Sequence, residues 1–243
     1  MISIFKKRPQ AAVNFSAIGT DMHSHLLPGI DDGAKDASQS LEMMRALQDL
    51  GFSRFITTPH IMTDLYPNSP ATIDAAFEKL KQAGGNDLPL KPAAEYFIDE
   101  NFDALMESGQ PLLCLHDKTV LVEFSFVTTP LNYQQRFFEL QLRGYQPVLA
   151  HPERYLYFGN ARHLYDELRD AGCLFACNIL SFTEYYGKGP TELVNYLLKK
   201  DYIDFLGTDL HHHRHVEALQ NAHAAMPAVQ KLAGSGRLLN KQL

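Results

Sequence analysis

Seven short apolar runs alternate with helical stretches along this 243-residue chain. That alternation constrains its fold more than any other feature. Strands are expected at Ile18–His23, Arg54–Thr58, Leu90–Glu95, Thr119–Phe124, Pro147–Ala150, Leu174–Asn178 and Ile203–Thr208, each apolar and rich in β-branched or aromatic side chains. Ala37–Leu50 is expected to be helical, with Leu41, Met44, Leu47 and Leu50 on one face and Gly51 as its stop. Further helices are expected at Ser69–Ala83, Leu131–Leu142, Arg162–Asp170, Thr191–Leu198 and Val216–Leu232, with a short turn at Asn101–Met106. A strand that repeatedly hands over to a helix builds parallel βα units. Seven units predict an α/β barrel in a single domain over residues 18–243, with an open doubly wound sheet as the alternative. Residues 1–17 are expected to be an N-terminal extension.

What the strands end in narrows the chemistry. They deliver, in order, His23-Ser24-His25, Pro59-His60, Glu95, Glu123, His151-Pro152-Glu153-Arg154, Asn178 and Asp209-Leu210-His211. Barrel and open α/β enzymes build their sites at the C-terminal ends of strands. One polar strand end is ordinary, whereas seven in succession are not an accident. His23 and His25 alternate, so on an extended segment their side chains leave one face about 7 Å apart, and Asp209 and His211 do the same. A closed barrel would bring these two pairs together. Imidazole with carboxylate suits Zn²⁺, Mn²⁺ or Fe²⁺, and Glu95 and Glu123 add oxygens able to bridge two ions. The run FLGTDLHHHRH, residues 205–215, holds four of the eleven histidines and lies too far inside the chain for a tag. Asp209 and His211 read as ligands, with His212 pointing away from the mouth.

Composition removes several alternatives. With 22 basic and 28 acidic residues the net charge is −6, so no global field recruits nucleic acid or an acidic membrane. An anionic substrate would need a local positive centre. No run of about 18 apolar residues suggests a membrane span, and MISIFKKRPQ has no apolar core of a secretory signal. Three cysteines, Cys114, Cys173 and Cys177, are an odd number and suggest a reducing, cytoplasmic compartment. Cysteine-based phosphatases place an arginine six positions after the nucleophile. Those positions here are Val120, Ile179 and Thr183, so that chemistry is absent and the thiols read as core residues. No Walker loop, GxGxxG or GxSxG occurs.

Taken together, DMHSHLLPGIDDGAKD, TTPH, AAEY, EFS, HPERY and GTDLH resemble a PHP domain, named for polymerase and histidinol phosphatase. More narrowly, they resemble the bacterial PHP-type protein-tyrosine phosphatases of capsule and exopolysaccharide loci. The likeness runs in order from about Ile18 to His213. It implies a distorted seven-stranded barrel and a trinuclear site, usually manganese, with Fe, Zn or Mg as other occupants. On that likeness His23 and His25 hold a first metal with Glu95 and Asp209. Glu95 bridges to a second, held by Glu123 and His151, and a third lies between Asp32, His60 and His211, with Asp31 as the fallback for Asp32. Arg154 would grip the phosphate and leave the metals to other residues. The resembled pattern has a second arginine past the final DxH, but the seventh position after Asp209 is Val216, so Arg214 or His215 stands in its place. His213 is a candidate proton donor. Tyr155 and Tyr157 are expected to pack rather than to touch substrate.

The implied reaction is hydrolysis of phosphotyrosine by a metal-activated hydroxide, on a protein such as a bacterial tyrosine autokinase. A phenolate of pKa about 10 leaves with less acid help than an alkoxide. Other readings are a second PHP phosphoesterase (a histidinol-phosphate phosphatase or an exonuclease), an amidohydrolase, or a non-catalytic PHP module. Glu123, where amidohydrolases commonly place a bridging lysine, argues against the amidohydrolase. The full set of nine ligand-type residues argues against the non-catalytic module.

Overall fold

The computed structural model describes residues 12–84 and 87–243. Among them are nine strands: β1 (Thr20–Asp21), β2 (Arg54–Thr57), β3 (His60–Ile61), β4 (Leu90–Pro92), β5 (Glu95–Phe97), β6 (Thr119–Glu123), β7 (Gln146–Ala150), β8 (Leu174–Asn178) and β9 (Phe205–Gly207). They form two sheets, ordered β1-β2-β4 and β3-β5-β6-β7-β8-β9. Every ladder is parallel, as the βα alternation requires.

The expectation of a closed seven-stranded barrel is therefore corrected. The expected strand Leu90–Glu95 is cut in two after Pro92, and the one expected at Arg54–Thr58 is followed beyond Pro59 by a further short strand, β3; neither proline can donate to a ladder. The register survives the cut: Phe55 faces Leu90, and His60 faces Glu95 at the same offset. Amides of Ala93 and Glu95 donate to Thr57 O and Pro59 O across the gap. No ladder joins the first strand to the last. They meet through one bridge, Ser24 with Leu210. Below it the Asp21 carboxylate accepts from the amide of Thr208 at 2.9 Å and from its hydroxyl at 2.7 Å. A side chain thus occupies the donor that a continued ladder would use.

Eight α-helices cover the strands: α1 (Ala37–Asp49), α2 (Pro70–Gly84), α3 (Glu100–Ser108), α4 (Tyr133–Leu142), α5 (His163–Asp170), α6 (Lys188–Lys200), α7 (His213–Gln220) and α8 (Met226–Gly234). The single C-terminal helix expected from the sequence is two. Pro227 lacks an N–H and its ring clashes with the preceding turn, so it is accommodated only in the first turn of α8. Of the expected extension, residues 1–11 lie outside the described residues. Val13 and Phe15 are buried, and Phe15 N donates to Leu50 O at 2.7 Å. No helix among the described residues is long and apolar enough to cross a membrane.

The core has two parts. Alternate strand residues face the helices, while Met22, Ile56, Ala93, Leu121, Val148, Ala150, Ala176 and Phe205 pack against one another between the strands. This inner plug forms the floor of the site.

Candidate metal centre

The period of a strand explains why the polar groups gather above that floor. Glu95 is two residues beyond Ala93, Glu123 two beyond Leu121, and Asn178 two beyond Ala176, so each emerges on the face its apolar predecessor occupies. His151 and Asp209 leave the alternation with φ of 36° and 51°. For non-glycine residues this is an uncommon, strained backbone, typical of functional sites. Two glycines make the room. A Cβ on Gly207 would lie 2.7 Å from that of His23, and one on Gly33, in the turn after Asp31 and Asp32, would lie 2.2 Å from the carbonyl oxygen of His25.

The donor atoms converge tightly. His23 Nε2 is 3.1 Å from Glu95 Oε2 and 3.5 Å from Asp209 Oδ1. His25 Nε2 is 3.5 Å and 3.6 Å from the same two oxygens. His151 Nε2 is 3.0 Å from Glu95 Oε1. Asp32 Oδ1 lies 3.4 Å from His211 Nε2 and 3.6 Å from His60 Nε2. Three sets therefore have ligand atoms within 4.8 Å of one another: His25, Asp32, His60 and His211; His23, His25 and Glu95; His60, Glu95 and Glu123. Asp31, the fallback ligand, instead takes His25 Nδ1 at 2.8 Å and the Gly33 amide at 3.0 Å. It braces the His25 ring, in the way carboxylates stand behind metal-binding histidines.

These residues fit cations better than they fit each other. His60 Nδ1 and Glu123 Oε1 are 2.7 Å apart, yet both are buried atoms without a hydrogen bond. His25 Nε2 is also buried and without one. Lone pairs that crowd together without aiming at each other's protons are arranged to share a positive ion. The electrostatics agree. Burial pushes the His60 imidazole down, but Glu123 and Glu95 raise it to about 9. Burial raises the Glu95 carboxyl, and His23 and His60 more than reverse this, holding it well below the carboxylate range. Asp32, lifted by burial, is brought to about 2 chiefly by His211. In the metal-free protein, protons on histidines supply the positive charge that the carboxylates demand.

A cavity of about 360 Å³ opens onto the cluster, lined among others by Asp32, His60, Glu123, His151, Arg154, Asp209 and His211. His23, His25 and Glu95 are buried and do not line it, but their donor atoms lie within 3.6 Å of those of the lining residues Asp209, His60 and His151. All nine residues expected as ligands thus meet in one place, with Arg154 beside them. His213 and Arg214, expected at the site, are not among the residues that line the cavity. His213 begins α7 and faces Glu42 on α1 at 3.5 Å, and Arg214 is exposed. His212, expected to point away, lines the cavity, as does the buried His215. Tyr155 and Tyr157 pack as expected; the Tyr155 hydroxyl accepts from the Phe124 amide and the Tyr157 hydroxyl donates to Ser125 O.

Residues 19–237 match the family described as "Capsular polysaccharide synthesis, CpsB/CapC". The chain belongs to that family. It is similar to "Tyrosine-protein phosphatase YwqE" of Bacillus subtilis, 35% identical over 195 residues that cover 79% of this chain and 76% of the relative. A solved structure from work on YwqE of B. subtilis and CpsB of Streptococcus pneumoniae, described as "unique metal-dependent tyrosine phosphatases", matches with a TM-score of 0.77 at 32% identity. It covers 87% of this chain and 86% of that one. The histidinol phosphate phosphatase of Lactococcus lactis shares the fold, with a TM-score of 0.54 at 15% identity over 89% of this chain and 94% of the other.

Two residues of this CpsB/CapC protein had no signal in its sequence. The Arg154 guanidinium lies over the rings of Phe126 and Tyr186, 4.9 Å and 4.4 Å from their centroids. Phe126 also stacks on His151 at 5.4 Å. Both aromatics come from irregular segments distant in sequence from HPER, so no local pattern marks them.

Proposed function

We propose that this protein is a metal-dependent protein-tyrosine phosphatase, the activity named for its YwqE and CpsB relatives. The observation that carries the reading is the convergence of nine ligand-type residues, six of them with one arginine lining a single cavity. Three ions, manganese or a similar divalent cation, would be held by His23, His25, Glu95 and Asp209; by Glu95, Glu123 and His151; and by Asp32, His60 and His211. Bound there, such ions would supply charge against phosphoryl oxygens and make water acidic enough to attack near neutral pH.

The chain's own groups supply the rest. Arg154 is positioned to bind the phosphoryl oxygens, with its orientation limited by the rings of Phe126 and Tyr186. Phe126, which is half exposed, offers an aromatic wall to an incoming phenyl ring. Glu95 and Asp209 are kept ionised by their histidine neighbours. The substrate we infer is phosphotyrosine on a bacterial tyrosine autokinase of polysaccharide export, met in the cytoplasm, where three unpaired cysteines are at home.

The test is hydrolysis of phosphotyrosine peptide, phosphoserine peptide and histidinol phosphate by protein dialysed against chelator and reloaded with Mn²⁺. Preference for phosphotyrosine, abolished by chelation and untouched by thiol alkylation, is expected. Full activity in excess EDTA, or preference for histidinol phosphate, would refute the reading.

A further inference from the structure

A tetrahedral phosphoryl group has more oxygens than one guanidinium can hold, and among the described residues Arg154 is the single arginine or lysine lining the cavity. His215 has the geometry of a second donor. Its Nδ1 accepts the backbone N–H of His211 at 3.2 Å. A ring nitrogen that accepts from an amide carries no proton, so the neutral ring bears its hydrogen on Nε2. The tautomer is set by the backbone.

The ring is also held in place. It packs against His212 at 4.1 Å and edge-on to Tyr185 at 5.2 Å. It is 8% exposed, lines the cavity, and its Nε2 has no partner among the described residues. Tyr186 joins it to the phosphate site, since that ring lies under Arg154 at 4.4 Å and 6.3 Å from the ring of His215.

We propose that His215 is a fixed, neutral N–H donor that, with Arg154, binds the phosphoryl oxygens of the substrate. The proposal rests on the phosphatase reading for its substrate. Its rationale is that a donor needing no reorientation favours the charge that develops on transfer.

Two substitutions in the Mn²⁺-loaded full chain separate this from a structural role. His215→Asn keeps an acceptor near the Nδ1 position for the His211 amide but has nothing at Nε2. His215→Gln places an amide N–H near the Nε2 position. With phosphotyrosine peptide, His215→Asn should lose roughly 10- to 100-fold in kcat/KM with full metal content. His215→Gln should recover to within about threefold of wild type on the same scale. Inorganic phosphate binding, titrated by calorimetry without turnover, should weaken in the same order. Because the donor is neutral, the kcat/KM pH profiles of wild type and His215→Gln should share one shape. Activity and phosphate binding retained in His215→Asn but lost in His215→Gln would make the role structural and overturn the proposal. Loss in proportion to metal content, or disappearance of one pH limb in His215→Gln, would overturn it equally. If the wild type hydrolyses no phosphomonoester, the phosphatase reading falls, and phosphate calorimetry still decides on His215.

Discussion

Arg154 Nη1 donates to Asp209 Oδ2 at 2.7 Å. Asn178 Nδ2 donates to the same oxygen at 2.8 Å, so the other oxygen, Oδ1, is left facing His23 and His25. One half of the carboxylate is anchored and the other is offered to a cation. Arg154 therefore stands behind a candidate metal ligand as well as lining the cavity. This changes the expectation, reasonable from sequence, that its removal would leave the metals undisturbed.

Arg154→Ala should accordingly fail in two ways. Losing a charge-stabilising donor predicts about 2–4 kcal/mol in kcat/KM. Losing the partner of Asp209 predicts roughly 10- to 100-fold weaker binding of one ion. Arg154→Lys should keep the ion and regain only part of the turnover, since an ammonium cannot make the bidentate phosphate contact. Metal analysis beside steady-state kinetics reads both. Near-normal kcat/KM in Arg154→Ala would reduce the pair to a structural contact.

The raised pKa of His60 sets a pH window for the metal-free protein. A histidine at about 9 in the fold and 6.5 in its ordinary state contributes stability that is complete below pH 6.5 and lost as pH rises through 9. The carboxylates Glu95 and Asp209, held low, add no slope there. The melting temperature in EDTA should therefore fall between pH 6.5 and 9. Metal binding at pH 7.5 should release protons, because ligands bind deprotonated. Calorimetry in buffers of different ionisation enthalpy counts them; zero release would contradict the pKa assignment.

Gly207→Ala tests the closeness of the last strand to the first. A methyl group 2.7 Å from His23 Cβ must displace that ligand or the strand. The overpacking cost is about 1–3 kcal/mol, accompanied by reduced metal content. A variant with unchanged melting temperature and full metal content would show that the strands separate freely.

Asp21 is fully buried and burial carries its pKa to about 6, against the opposing hydrogen bonds from Thr208. A raised carboxylate pKa means stability falls as pH climbs from about 4 to 6, then levels off. Asp21→Asn keeps an acceptor for the Thr208 amide and sheds the charge. In EDTA above pH 6 it should be more stable than wild type by up to about 3 kcal/mol, from the shift of roughly two units. An advantage that grew on going below pH 4 would have the wrong sign and defeat the explanation.

Much of the candidate site was legible because most of its residues stand at the end of an apolar run. Glu95 after Ala93 and Glu123 after Leu121 need only the two-residue period of a strand. The stretch from His212 to His215 was not legible in the same way. There the chain passes from a strand end into α7, so the side chains turn by about 100° per residue and the outward and inward histidines exchange roles. His213 and Arg214 went to the surface for that reason, and His215 went inward.

The sequence by itself determined the parallel βα order, the absence of a cysteine–arginine phosphatase pair and the polar residues at the strand ends, since all three are local properties of composition and spacing, whereas Asp32 entered only through the family resemblance. Only the tertiary structure decided how the ring of strands is joined, because the Asp21–Thr208 contact spans 187 residues and replaces a ladder by a side chain. It likewise decided that Asp32 faces the cluster while Asp31 braces His25. It also set Arg154 between Phe126 and Tyr186. Such choices depend on distances between segments far apart in the chain, where neither periodicity nor propensity carries information.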